Sequence, residues 1–223
     1  YQSVIIVPPT GSVHDEREID AVVELMRTTS LAIGAKVAEF EERMAALLAK
    51  RFGVMVNSGS SALRLAIDLI GCEPGDEIIT PPVTFSTDIA PMVQSGIVPV
   101  FVDVEADTFQ IDPLGIEAMI GPRTKAILAP NLVGNCPDWD AIRSIADAHG
   151  LHLWTDAAQS FGASSGAQKV GTMGRMTATS FFPAKPLGCA GDGGAVFTDD
   201  EDIESGCVQG QAGLQRLTRT PVA

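Results

Sequence analysis

Hydrophobic and polar positions follow two different patterns along this chain, and the change falls near residue 53. Before that point, apolar side chains recur every three or four positions, first at Ile19, Val22, Val23 and Met26 and then at Val37, Phe40, Met44, Leu47 and Leu48. A repeat of this length is typical of amphipathic helices. The pattern therefore predicts an N-terminal helical segment over residues 1–52, with Gly34 in a turn between two helices.

From about residue 53, short apolar runs alternate with helical stretches. The predicted strands are GVMVN (53–57), EIITP (77–81), VPVFVDV (98–104), KAILAP (125–130), LHLWTD (151–156), ATSFF (178–182) and GAVFTD (194–199). Helices are predicted to begin near Ser60, Ser86, Leu114 and Asp138, and Gly150 ends the last of them. This alternation predicts an α/β fold with a largely parallel sheet. Residues 206–223 show weak periodicity and predict no regular element.

The composition narrows the classes of function. The 223 residues carry a formal net charge of -13, and the 15 basic side chains are scattered, so nucleic acid is not an expected partner. No apolar run approaches the roughly 20 residues that span a bilayer, and the first residues lack the organisation of a signal peptide. A soluble, cytoplasmic protein is therefore expected. The four cysteines have no zinc-ligand spacing and are expected to be buried or half-buried thiols, with no metal site.

The first candidate site is the stretch Asn57-Ser58-Gly59-Ser60-Ser61-Ala62, where a predicted strand passes through glycine into a helix. Backbone N–H groups at a helix N-terminus, the helix dipole and serine hydroxyls together suit a phosphate group. An ordinary turn with a serine N-cap would use the same residue types. The stretch by itself leaves both interpretations open.

Two further candidates are single charged residues in unusual positions. Asp156 closes LHLWTD, where a carboxylate either faces a ligand site or caps a helix. Lys185 lies among apolar residues in SFFPAKPLG, shortly before the glycine-rich run 191–194. Desolvation makes a lysine amine nucleophilic toward aldehydes, although most single lysines lie at the surface.

The three sites together match the needs of one cofactor. Pyridoxal 5′-phosphate (PLP) requires a phosphate cradle, a carboxylate that keeps its pyridine nitrogen protonated, and a lysine that bonds to its aldehyde.

The sequence does not support two other enzyme classes. Gly162-Ala163-Ser164-Ser165-Gly166 has the G-x-S-x-G form of a hydrolase elbow, but no histidine follows Ser164. The chain also lacks a dinucleotide-binding fingerprint and a Walker motif.

The sequence resembles the DegT/DnrJ/EryC1/StrS family of sugar aminotransferases. The similarity runs from about Pro9 to Asp202, through SLAIGAKVAEFEE, NSGSSAL, PGDEIITPPVTFSTD, PVFVDVEADTFQIDP, TKAILAPNLVGN, TDAAQSFGA, VGTMG and SFFPAKPLGCAGDGGAVFTDD. The resemblance implies the type I PLP-transferase fold, whose large domain has three layers. It also implies a homodimer that transfers an amino group, usually from glutamate, to a keto group on a nucleotide-linked sugar, for polysaccharide or secondary-metabolite biosynthesis.

The resemblance also implies roles for individual residues. Lys185 would bond to the cofactor and move the proton, and Asp156 would pair with the pyridinium nitrogen. The remaining cofactor contacts would be Phe85 against the ring, Gln159 near the hydroxyl, and Gly59, Ser60, Ser61 and Ser180 around the phosphate.

Two departures from the family pattern leave alternatives open. The stretch PNLVGNCPDWDAIRSIADAHGL resembles a dehydratase branch of the family, whose members carry histidine at the position of Lys185, so the lysine favours amino transfer. Family members are also longer, with a C-terminal small domain. We therefore expect a PLP-binding large domain over 53–205, a divergent tail over 206–223 and no small domain. A truncated, catalytically incomplete protein is the second alternative.

Overall fold

The computed structural model describes residues 14–28 and 34–217. Both predicted N-terminal helices are confirmed, as α1 (Glu16–Arg27) and α2 (Ala35–Leu47). α1 begins with a capping box. The Asp15 side chain accepts backbone N–H groups of the first helical turn, and the Glu18 side chain accepts the Asp15 N–H at 2.7 Å. Every residue of α1 is exposed, whereas α2 buries Ala45 in the core.

The remaining elements follow in the predicted alternation. In chain order they are β1 (Phe52–Val56), α3 (Gly59–Leu69), β2 (Glu77–Thr80), α4 (Ser86–Gln94), β3 (Val98–Phe101), α5 (Pro113–Ile116), β4 (Thr124–Leu128), α6 (Trp139–His149), β5 (His152–Asp156), β6 (Ser164–Ser165), β7 (Gln168–Lys169), β8 (Met176–Ser180), β9 (Gly194–Thr198) and α7 (Glu201–Leu217). Single 3₁₀ turns occur at Glu117–Met119 and Leu132–Gly134. The seven predicted strands are therefore all confirmed, within a few residues at each end.

Seven strands form one mixed sheet in the order β1-β9-β8-β5-β4-β2-β3. The pairs from β8 through β5, β4 and β2 to β3 are parallel, and β9 runs antiparallel to both β8 and β1. β6 and β7 form a separate two-stranded ribbon. The predicted largely parallel sheet is confirmed, with the antiparallel pairs at one side.

Helices cover both faces of the sheet, as predicted. On one face, α3, α4 and α7 pack over a core that includes Ile67, Met92 and Trp154. On the other face, α5 and α6 cover a second cluster around Ile116 and Ile142. These three layers arise because alternate residues of each central strand point to opposite faces and both faces are apolar.

The prediction for residues 206–223 is wrong as far as residue 217, because α7 continues from Glu201 to Leu217. Glycines at 206, 210 and 213 dilute the apolar repeat that would mark a helix. Two of them lie against α3, since a Cβ at Gly206 would fall 2.2 Å from the Leu69 side chain and one at Gly210 would fall 2.4 Å from Leu65. The glycines thus allow close helix packing, which the periodicity does not reveal.

Local signals were accurate where a cap fixes the helix ends. The Asp138 side chain accepts the Ala141 N–H at 3.0 Å, and Gly150 ends α6 in the left-handed conformation. The four cysteines are free thiols, buried or half-buried as expected. Within the described ranges, no helix has the length and apolarity needed to cross a membrane.

Candidate active site

The candidate site lies where β5 and β8 end. These strands are parallel neighbours, so Asp156 and Ser180, their last residues, reach the same edge of the sheet. A cavity of about 340 Å³ opens there. It is lined by the predicted residues Gly59, Ser60, Phe85, Asp156, Gln159, Ser180 and Lys185, together with Ser58, Leu63, Thr87, Ala158, Phe182, Ala184 and Asp192. Residues far apart in sequence therefore meet in one place.

The N-terminus of α3 forms one wall of the cavity. Ser58 is the N-cap, and its Oγ accepts the Ser61 N–H at 3.2 Å. The N–H groups of Gly59 and Ser60, in the first helical turn, have no acceptor within the helix. Ser61 itself is not among the lining residues, and its Oγ accepts the Ser58 hydroxyl at 3.1 Å. This wall therefore offers backbone donors and the Ser60 hydroxyl to an anion.

Gly59 is required by the close approach of α3 to β8. A Cβ at this position would fall 2.5 Å from the Cβ of Ser180, which real side chains do not tolerate. Ser180 is buried, and its Oγ accepts the Phe182 N–H at 3.2 Å, so the hydroxyl hydrogen is free to donate elsewhere. The glycine thus lets a second hydroxyl join the helix N-terminus.

Asp156 is one of two acids that line the cavity, the other being Asp192. Its Oδ1 accepts the Ala158 N–H at 2.8 Å, which fixes the carboxyl group in the turn after β5. Burial raises the pKa of Asp156 to about 6, while the Ala158 N–H and the positive charge of Lys185 oppose the rise. A protonated nitrogen facing the carboxyl group would favour its ionised form.

Lys185 and Phe85 enter the cavity from two different loops. The Lys185 backbone N–H donates to the Phe182 carbonyl at 2.8 Å, which closes a tight turn after β8. Its Nζ lies 5.4 Å from the centroid of the Phe85 ring, within the range of a cation–π contact. Phe85 is the N-cap residue of α4 and is 53% exposed, so its ring face is available to a flat ligand.

Gln159 has a defined orientation in the structure. Its Oε1 accepts the Val133 N–H at 3.0 Å, so the amide NH₂ group is left as a donor. Val133 adopts a positive φ of 55°, which is strained for a β-branched residue. The strained backbone thus directs the Gln159 amide.

A buried polar network supports the turn that follows β4. The Asn131 side chain donates to the Asp156 carbonyl at 3.3 Å and accepts the Trp139 indole N–H at 3.2 Å. Asn131 also bonds to the Thr155 hydroxyl, and the Ser160 Oγ donates to its carbonyl at 2.8 Å. Because each member has a partner, the network rigidifies the backbone around Asp156.

The sequence interpretation missed one acid near this site. Asp88, in the first turn of α4, is 1% exposed, and its carboxyl group bonds to the Thr84 hydroxyl. Burial raises the pKa of Asp88 well above the usual range, and the negative charge of Asp156 raises it further. A signal was present, because Asp88 shares the i, i+3, i+4 spacing of the buried residues Pro91 and Met92.

The hydrolase-like motif has a different structural role. Ser164 lies in β6, on the exposed two-stranded ribbon, and Gly166 occupies the turn that leads to β7. A nucleophile elbow instead needs a sharp turn from strand to helix. The ribbon therefore does not form such an elbow.

Comparison with known proteins identifies the family. The family model described as the DegT/DnrJ/EryC1/StrS aminotransferase family matches residues 12–216, which continues beyond Asp202, where the quoted motifs end. The chain belongs to this family. Its seven-stranded α/β architecture is therefore that of a DegT/DnrJ/EryC1/StrS domain.

Individual members of the family are similar over most of the chain. A UDP-2-acetamido-2-deoxy-3-oxo-D-glucuronate aminotransferase from Pseudomonas aeruginosa is 41% identical over 187 residues, which are 83% of this chain and 52% of that protein. The solved structure of DesV from S. venezuelae has a TM-score of 0.84 and 36% identity, and covers 93% of this chain and 55% of its own. The chain thus spans about half the length of these relatives.

A third similar protein was solved with a cofactor. The structure of ntda from Bacillus subtilis, with the cofactor PMP bound, has a TM-score of 0.82 and 34% identity. It matches 87% of this chain and 44% of the B. subtilis chain.

The residues of this chain fit a pyridoxal-type cofactor. The helix N-terminus and the Ser60 and Ser180 hydroxyls suit a phosphate, and the added Cβ at Gly59 would close that cradle. Asp156 and Lys185 supply an acid and an amine on the walls of the same cavity. The donor set therefore meets each chemical need of the cofactor.

Proposed function

We propose that this chain binds PLP and takes part in the transfer of an amino group to a keto group on a nucleotide-linked sugar. The observation that carries the proposal is the convergence of Lys185, Asp156 and the α3 N-terminus on one cavity of about 340 Å³. When bound, PLP acts as an electron sink that stabilises negative charge on the reacting carbon. The protein residues would position the reactants and move the proton.

Lys185 would hold the cofactor through its Nζ and then move a proton at the same atom. A lysine amine can do both, because it is a nucleophile toward aldehydes when neutral and a general acid when protonated. Its Nζ lies on the Phe85 side of the cavity, so the lysine and the aromatic ring would face the cofactor together. This agrees with the role that the family resemblance implies.

The other residues would bind and orient the cofactor. Asp156 would hold a proton on the pyridine nitrogen, and the Gln159 amide would donate to the ring hydroxyl. Gly59, Ser60 and Ser180 would bind the phosphate. Ser61 stays a predicted phosphate contact, because its Oγ accepts the Ser58 hydroxyl at 3.1 Å and can still donate its own hydrogen.

The names of the relatives support a keto group on a nucleotide-linked sugar as the acceptor. The family resemblance implies glutamate as the amino donor. Lys185 also favours amino transfer over the dehydratase alternative, whose members carry histidine there. A homodimer in the cytoplasm completes the proposal. The four free thiols suit a reducing compartment.

The first experiment is a visible spectrum of the purified protein with PLP. We expect an absorption band at a longer wavelength than that of free PLP, both for the wild type and for Lys169→Ala. Lys169 lies on the exposed ribbon and serves as the control lysine. Lys185→Ala should lose the band, because only Lys185 among the lysines lines the cavity within the described ranges. A band that survives in Lys185→Ala refutes the cofactor assignment.

Two further measurements separate the alternatives. Glutamate should convert the bound cofactor to its amine form, and a protein that keeps the band without converting is catalytically incomplete. Mass analysis of the sugar after turnover then distinguishes gain of an amino group from loss of a hydroxyl group. The second outcome would replace the aminotransferase proposal by the dehydratase alternative.

A further inference from the structure

Asp88 is a buried acid for which the proposed reaction has no use. One carboxyl oxygen, Oδ2, bonds to the Thr84 hydroxyl. The other, Oδ1, is buried and has no hydrogen-bond partner in the described part of the chain. An ionised carboxylate needs several donors when it leaves water, and a single hydroxyl is a poor replacement for its hydration. The surroundings of Asp88 therefore disfavour its charged form.

Two charged groups that line the cavity act on Asp88. Asp156, at the end of β5, adds a negative charge, and Lys185, in the loop after β8, adds a positive charge. α4 also packs against α3 and β3. β3 has no charged side chain, and the charged residues of α3, Arg64 and Asp68, bond to each other on the surface at 3.1 Å. Lys185 is thus the cation that the two carboxyl groups share.

Two carboxyl groups in one water-poor site do not both ionise readily, because their like charges repel. Their surroundings differ here. Asp156 lines the cavity and accepts the Ala158 N–H at 2.8 Å, whereas Asp88 does not line the cavity and leaves Oδ1 without a donor. The better-solvated Asp156 should keep the charge, and Asp88 should keep the proton.

We propose that Asp88 is a positioning residue that retains its proton and thereby leaves the negative charge of the pair on Asp156. This role rests on the proposed cofactor site, in which Asp156 faces the pyridine nitrogen. A neutral Asp88 would place no second anion beside that contact, so the charge of Asp156 remains available to the ring nitrogen. Asp88 would act through Asp156 and would not itself touch the cofactor.

Infrared spectroscopy of the apoprotein tests the location of the proton without any cofactor. A protonated carboxyl group gives a carbonyl stretching band that a carboxylate lacks. At neutral pH we expect this band in the wild type and in Asp147→Asn, a control at an exposed position of α6. Asp88→Asn, which is nearly the same size, should lose it. A wild type without the band, or Asp88→Asn with an undiminished band, overturns the proposal.

Asp156→Asn tests whether the two acids are coupled. Without the Asp156 charge, Asp88 should ionise more readily, so the pH at which its band disappears should fall by about one unit or more. A buried acid with a purely structural role would lose its proton at the same pH in both proteins. That result contradicts the pairing.

The pH dependence of unfolding gives an independent measurement. The pKa of Asp88 is higher in the folded than in the unfolded chain, so the wild type loses stability as the pH rises above the unfolded value of about 4. Asparagine cannot ionise, so the denaturant midpoint of Asp88→Asn should rise relative to the wild type between about pH 5 and about pH 8. Asp147→Asn should follow the wild type. Parallel curves for Asp88→Asn and the wild type refute the proposal.

These results can be told apart from those that test the cofactor site. A wild type without PLP absorption defeats the proposed function, while the infrared band and its shift in Asp156→Asn still establish the carboxyl pair. A normal PLP spectrum together with a missing Asp88 infrared band supports the proposed function and overturns the proposal for Asp88.

Discussion

At the scale of single residues, the candidate site depends on small side chains where backbone segments approach closely. Gly59 stands against Ser180, and a Cβ at Gly194 would fall 2.4 Å from the Ser58 backbone. Both contacts bring the N-terminus of α3 onto β8 and β9. The wall proposed to bind the phosphate therefore forms only because two strands and one helix can meet without intervening side chains.

Gly59→Ala should damage both stability and cofactor binding. The new methyl group would overlap the Ser180 Cβ at 2.5 Å, and the strand cannot move as a flexible side chain would. Such overpacking costs about 1–3 kcal/mol, which exceeds the helix-propensity gain of at most about 1 kcal/mol. We expect the PLP affinity to fall by about tenfold or more. Titration of the visible band and denaturant unfolding measure the two effects.

Gly121→Ala is the matched control for this substitution. A Cβ there would make ordinary contacts, the nearest at 3.4 Å to the Glu77 carboxyl group. This variant should bind PLP as the wild type does. Equal affinity in Gly59→Ala and Gly121→Ala would show that the close approach at Gly59 has no part in the site.

The residue types of the site could be read from the sequence, but their partners could not. The sequence marks Asp156 by its place at the end of a predicted strand and Lys185 by its apolar surroundings, and both residues line the cavity. Ser61 stays a prediction at the phosphate. In the structure its N–H and its Oγ both bond to the Ser58 hydroxyl, because an N-cap uses the same groups as an anion site. The sequence does not connect Asp88 with the site, since Asp156 lies 68 positions further along the chain.

At the scale of elements, α7 shows how glycine can support a helix through packing. Gly206 and Gly210 lie one turn apart and face Leu69 and Leu65 of α3. Isolated glycines disfavour a helix by up to about 1 kcal/mol each. The close packing of α7 on α3 offsets that cost.

Gly210→Ala should therefore destabilise the protein although alanine is the better helix former. The methyl group would fall 2.4 Å from Cδ2 of Leu65, which is only 6% exposed and has little space to move. We expect a net loss of about 1 kcal/mol in the free energy of unfolding. Chemical denaturation followed by circular dichroism measures it.

Ser205→Ala provides the comparison on the same helix. Ser205 is exposed, so alanine there should leave stability unchanged or raise it slightly. A gain in stability for Gly210→Ala, equal to that of Ser205→Ala, would mean that Gly210 has no packing role.

At the scale of the whole molecule, the net charge lowers the stability of the fold. The net charge of -13 comes from 28 acidic and 15 basic residues, and several ion pairs, such as Arg175 with Asp200 at 2.7 Å, relieve only part of the repulsion. Self-repulsion of this kind lowers the stability of a compact state and is screened by salt.

Raising the NaCl concentration from about 10 mM to about 200 mM should therefore increase the thermal unfolding midpoint, because the Debye length falls from about 30 Å to below 10 Å. KCl should have the same effect at equal ionic strength. Differential scanning fluorimetry measures the change. A midpoint that stays constant or falls with salt would show that surface ion pairs outweigh the repulsion.

The sequence by itself determined the order of strands and helices, the class of fold and the residues with suitable chemistry. It could do so because apolar periodicity, caps such as Asp138 and Gly150, and motifs such as that around Lys185 are local. The tertiary structure decided which strands are neighbours, which ends meet, and which acids share a cavity. Crossovers of the chain bring together three such contacts: Asp88 with Asp156, Gly59 with Ser180, and α7 with α3. Repulsion and packing act there between residues that are far apart in the sequence, so no local pattern connects them.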